Sequence, residues 1–267
     1  MQWSSCCFGM IRPRHWLTIV ESRFGWFGFN GGSTLNGSVR SLYAAFNTNT
    51  AASCGAIGWV IVDMIRTKGK FSVVGACEGV IAGLVGITPA AGYVQVWPAA
   101  LIGLLTGAIC NSVSGIDGWL GIDEGLDAFK LHGIGGMVGS FLTGIFADEA
   151  ISFLDGATVA PGAWNGVGVQ VGRQLADICA ISAWSFVVSC ILLYGLKFIP
   201  GMNLRVSEEA EIMGLDLDQF VDEQIGDWSL FHDYHPEPSK IEGTNQEGLA
   251  VSGASSMERG QVPAKKE

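Results

Sequence analysis

The sequence predicts an all-α, polytopic membrane helix bundle. Of the 267 residues, 49% are hydrophobic and only 15% are charged, against about 25% charged in an average soluble domain. Mean hydropathy is +0.36 over the whole chain. Five apolar segments follow one another, each near the ~20 helical residues that cross a bilayer's hydrocarbon core. They run unbroken, without the period-2 alternation of barrel strands, so helices are expected.

Residues 1–23 stand apart. MQWSSCCFGMIRPRHWLTIVESR carries Arg12, Arg14, His15, Glu21 and Arg23, too polar for a span and without a signal-peptide core. Apolar character begins at Phe24, and FGWFGFNGGS reads as the last turns of a helix. The spans follow at 43–65, 71–93, 97–114, roughly 127–147, and 167–199. Gly75, Gly79 and Gly83 stand four apart, as do Gly135 and Gly139, the spacing that lets membrane helices approach closely.

Orientation follows from the basic residues near helix ends. Arg66, Lys68 and Lys70 mark one turn, and Lys197 and Arg205 follow the last span. Placing both in the cytoplasm makes the spans alternate and puts the tail inside. The sequon Asn36-Gly37-Ser38 then lies outside but close to the membrane, a poor glycosylation acceptor. Residues 201–267 hold 14 of the 25 acidic residues and 5 of the 15 basic ones, so the net charge of −10 belongs largely to a tail. That tail argues against a nucleic-acid partner. Acidic–hydrophobic spacing in 208–231 predicts a short docked element, and composition after about 235 predicts disorder. The domain reading is an atypical segment 1–23, a membrane domain 24–199 and an acidic tail 200–267.

Few residues offer chemistry. Five of the seven cysteines lie in apolar runs without ligand spacing, as packing residues. No nucleotide, hydrolase or metalloprotease fingerprint is present, so neither an enzyme nor a cofactor is expected. His132 lies in LDAFKLHGIGGMVGSFLTGIF and is followed by a charge-free run to Phe146. A neutral imidazole there offers one donor and one acceptor, to relay a proton, line a pore or bridge two helices. Gly135, Gly136 and Gly139 follow at three, four and seven residues, broadly on its side of a helix. Trp26, Phe29 and Ser33 form one helical stripe, either a cation-recruiting site or an interfacial aromatic belt. Glu78, inside a span, must be protonated, paired or facing water. Arg173 and Asp177 are spaced to pair, and Asp127 is placed to cap the histidine helix or favour its dipole.

GWFGFNGGS, GACEGVIAGLVGITPAAGY and LDAFKLHGIGGMVGSFLTGIF together resemble the Amt/Mep/Rh ammonium transporters in their fungal Mep-like form, over roughly residues 24–230 and including GLDLDQF. The resemblance implies eleven helices in two inverted repeats, trimers and one pore per subunit. This chain resembles the end of helix six, helices seven to eleven and the tail: the second repeat plus the final helix. By resemblance, His132 matches the second of two pore histidines. Phe29 matches a phenylalanine of the external gate, Ser33 the serine of the outer ammonium site, and Trp26 a pore-adjacent tryptophan. Asn30 lies beside them, and Asp127 matches the acid beginning the tenth helix. The implied partners are ammonium and ammonia, the lipid bilayer, and a homotrimer or full-length subunits. The first repeat, with the other pore histidine, has no counterpart, and 1–23 does not resemble the sixth helix. The expected function is ammonium/ammonia passage through a narrow apolar pore; the alternative is a non-conducting truncated protein that associates with full-length subunits.

Overall fold

A computed structural model describes residues 13–121, 127–199, 201 and 204–207, with side chains from residue 23 onward, Asp117 excepted. The expected docking of 208–231, the expected disorder after about 235, and Cys6 and Cys7 lie outside the described residues. Those described are helical or in turns, with no strand among them.

Helix α1, Pro13–Gly32, opens on a proline, which suits a first helical position because its missing N–H has no partner there. It runs through Arg23 without a break, so the division expected at residue 23 is not a structural one. Arg23 finds polar partners on the next helix: its Nη2 donates to Asn49 Oδ1 at 3.1 Å and Ser53 Oγ at 2.7 Å.

Helix α2, Val39–Arg66, spans ~42 Å at 1.5 Å per residue and forms the spine. Against it lie α3, Val73–Ile87, and α4, Val96–Ser112. The glycine face of α3 meets α2 as its spacing predicts. A β-carbon on Gly75 would strike Trp59, on Gly79 Trp59 and the Gly55 carbonyl, and on Gly83 the Ala51 carbonyl. The core at this junction is Ala44, Ala51, Ala90 and Ala99, small side chains that permit close backbones, with Ile87, Val94 and Ile102 filling the space between them.

The expected span 71–93 is helical only to Ile87; residues 88–94 form turns. Pro89 brings no N–H to continue a helix, and two carbonyls in the turns that follow find a donor on another helix. Asn47 Nδ2, fully buried on α2, donates to both Ala91 O and Val94 O at 2.8 Å. After α4 come the short α5, Ile116–Leu120, a π-helical segment, Phe129–Ile134, and α6, Gly135–Phe146. The chain then bends by 102° into α7, Glu149–Ser152, and its following turn. The last helix, α8, Val169–Leu196, is the one unbroken helix among the described residues both long and apolar enough to cross a membrane by itself. No residue of α8 is buried. The expected Arg173–Asp177 pair does not form: Arg173 Nη1 donates to Gln170 Oε1 at 3.5 Å. Exposed pairs of this kind gain only a few tenths of a kcal/mol, too little to fix a geometry. The compact unit holding these helices runs to Tyr194.

Each end of the bundle is clasped by polar groups. At one end Arg40 Nη1 meets Asp155 Oδ2 at 2.7 Å, both side chains about 95% buried. It also donates to Thr158 Oγ1 at 2.9 Å, while Nε donates to Gly92 O at 3.0 Å. The guanidinium lies 4.4 Å from the Tyr93 ring centroid. Donation from the Thr158 hydroxyl and from the Thr158 and Ala157 amides, and then from Arg40, holds the Asp155 carboxyl well below the usual carboxylate range. At the other end Asn111 Nδ2 donates to Trp59 O at 2.9 Å and to Asp63 Oδ1 at 2.7 Å, and Arg66 Nη1 donates to Asn111 Oδ1 at 3.1 Å.

Candidate functional site

The site forms where α1 passes α3 and the π segment. Trp26 on α1 points its indole N–H at Thr88, donating to Oγ1 at 2.8 Å; Thr88 donates in turn to Leu84 O at 2.7 Å. This fixes the indole plane. The His132 imidazole lies nearly parallel to it, at an interplanar angle of 19° with centroids 6.3 Å apart. Phe29, one turn along α1, meets Trp26 edge-on at 6.3 Å and 66°. The three rings face a cavity of about 980 Å³ whose other walls include Val85, Pro89, Gly136, Met137, Ser140 and the α8 residues Asp177, Ile181 and Ser185. The lining is mostly apolar, with hydroxyls and one carboxylate in it. Phe29 is 59% exposed, and His132 is also exposed.

The other sequence-predicted residues divide. Ser33 is exposed and does not line the cavity; its hydroxyl donates to Phe29 O at 2.6 Å, leaving its oxygen able to accept. Asn30 is a buried tie rather than a lining group, its Nδ2 donating to Thr48 Oγ1 at 2.8 Å. Of the three glycines, only Gly136 borders the cavity. Gly135 faces Cys110 and Thr106 of α4, and Gly139 faces the Gly86 carbonyl of α3 so closely that a β-carbon would overlap it. The expectation that all three clear space beside His132 is therefore corrected: the π segment shifts the helical phase between His132 and α6. Asp127 does not cap the helix with its side chain; it adopts a positive φ of 53° and pairs with Lys130 Nζ at 2.9 Å. Glu78, left open by the sequence, faces the same ammonium at 3.7 Å.

Two contributors were missed. Thr88, which sets the Trp26 plane, carries no local signal. Lys130 had one, a lysine two residues before the histidine in an apolar segment.

A family model, Ammonium Transporter Family, matches residues 23–225. The chain belongs to the Ammonium Transporter Family. Among curated relatives, ammonium transporter MEP2 of Saccharomyces cerevisiae is 44% identical over 228 residues, 84% of this chain and 45% of that protein. Ammonium transporter 1 of Schizosaccharomyces pombe is 41% identical over 254 residues, 93% of this chain and 50% of that protein. The crystal structure of Candida albicans Mep2 superposes with a TM-score of 0.70 at 46% identity, covering 84% of this chain and 48% of that one. The chain spans about half the length of the Ammonium Transporter Family members it matches. The fungal Mep-like resemblance and the all-α membrane-bundle class both hold.

Proposed function

We propose that this chain supplies one wall of a conduit for ammonium and ammonia, the wall that carries a pore histidine. The observation that carries the reading is the Trp26–His132 stack facing a largely apolar cavity. An aromatic entrance attracts a small cation, and Phe29 with the Ser33 oxygen lies one and two turns further along α1 to receive it. Apolar walls disfavour the charged species relative to the neutral one. The His132 imidazole beside the path, whose nitrogens can give or take a proton, handles the proton. His132 is exposed and α8 has no buried residue, so the lumen is open on one side and conduction requires a second wall. Related subunits, assembled as trimers in the bilayer, are the proposed source of that covering surface. On this reading the chain is a multi-pass protein of the plasma membrane with its C-terminal tail in the cytoplasm.

Growth on low ammonium of cells lacking their own transporters tests the reading. The chain alone is expected not to restore growth. Co-expressed with the other half of a family member it is expected to restore it, and His132→Ala is expected to abolish the effect. Rescue by the chain alone would overturn the single-wall reading. Absence of rescue in every combination, with both pieces inserted, would overturn the conduit. The alternative, a non-conducting partner of full-length subunits, predicts that the chain co-purifies with such a subunit and lowers its transport.

A further inference from the structure

Lys130 is 3% exposed, in a segment where a buried charge is costly. Its ammonium draws on four places in the chain: Asp127 Oδ1 at 2.9 Å, Ser114 Oγ at 3.3 Å, Glu78 Oε2 of α3 at 3.7 Å, and the Trp59 ring of α2 at 5.2 Å from the centroid. Ser114 and Asp127 flank the loop that contains α5, so one ammonium fastens both ends of that loop to α2 and α3. Its main chain is held as well. The Lys130 carbonyl accepts from the Gly135 N–H five residues on, the bond that makes the turn π-helical, and from the Cys110 thiol at 3.4 Å.

We propose that Lys130 is a positioning residue for His132. Side chains two apart on a helical turn do not share a face. Anchoring Lys130 toward α2 and α3 therefore sends His132 toward the other side, where Trp26 stands. The wide turn adds a residue relative to an α-helix, setting His132 out of phase with α6. Gly135 and Gly139 can then pack on α4 and α3 while His132 faces the cavity. A cation bound on so many sides holds that phase; an apolar residue of equal length would fill the space without choosing it.

The inference rests on reading His132 as a conduit group, but its test reads ring position rather than transport. The full chain in nanodiscs, carrying isotope-labelled histidine, gives a His132 ring signal assigned by its loss in His132→Gln. Trp26→Leu gives the position of that signal without the indole's ring current. Lys130→Met is expected to move the His132 signal to its Trp26→Leu position, and Lys130→Arg to keep the wild-type one. An unmoved signal in folded Lys130→Met overturns the proposal, as does Lys130→Arg moving it as far as Met does. Where Lys130→Met fails to fold, Glu78→Gln with Asp127→Asn removes the counter-charges. This pair is expected to displace His132 likewise, and an unmoved signal there overturns the proposal. A chain that shows the coupling yet moves no ammonium in any assembly refutes the conduit and leaves the positioning role standing.

Discussion

Gly139 of α6 and Gly86 of α3 meet backbone to backbone, with no room for a β-carbon on Gly139 beside the Gly86 carbonyl. Gly139→Leu is expected to destabilise the bundle by about 1–3 kcal/mol or more through overpacking, and Gly139→Ala by less. Gly28 is also helical, but a β-carbon there would meet nothing within 4 Å, and it provides the contrast. Gly28→Ala is expected to be neutral or to stabilise by up to about 1 kcal/mol. Thermal unfolding in detergent measures all three.

Thr88 holds the Trp26 indole by a 2.8 Å hydrogen bond. Thr88→Val removes the acceptor and leaves a half-buried N–H unmet, at a cost of about 1–3 kcal/mol, whereas Thr88→Ser retains the oxygen. The valine variant is expected to broaden or shift Trp26 emission, identified by difference from Trp26→Phe, and the serine variant to leave it unchanged.

Asp155 has a depressed pKa in the folded protein. A group depressed in this way contributes stability that is fully present above its unfolded value of about 3.9 and is lost as pH falls toward the folded value. The stability difference between the native chain and Asp155→Asn is therefore expected to stay constant from about pH 8 to pH 5 and to shrink only below about pH 4. A difference that declines between pH 7 and 5 would contradict the carboxylate geometry around Thr158 and Arg40.

The proposed cytoplasmic C-terminus rests on the positive-inside rule, applied to Arg66, Lys68 and Lys70 together with Lys197 and Arg205. A C-terminal tag is expected to survive protease on sealed cells and to disappear on permeabilisation. Loss of the tag from sealed cells would reverse the proposed orientation.

Helix positions were legible because apolar runs report burial or lipid exposure directly. The misreadings arose where one residue depends on a distant one. Arg23 looked incompatible with a helix entering the bundle because its partners, Asn49 and Ser53, lie 26 and 30 positions away. The end of α3 was hidden because the donor for the Ala91 and Val94 carbonyls is Asn47, on another helix. The facing of Gly135 and Gly139 was misjudged because a uniform 3.6-residue period was carried across a π turn. The nearness of Trp26 and His132, more than a hundred positions apart, followed from resemblance alone, since no local periodicity encodes it.

The two hydrogen bonds from Asn47 to Ala91 and Val94 also have a consequence for biogenesis. A ribosome delivers the chain N-terminus first, so the amide is synthesised before the carbonyls it will serve. Ala91 and Val94 are buried, so their carbonyls have no water to fall back on once packed. Until they reach Asn47, the 88–94 reversal has either to stay at the bilayer surface or to shelter against the insertion machinery. Helix α2 thus acts as a template for the hairpin made after it, and the same residues delivered in reverse order would meet the membrane with their turn uncovered.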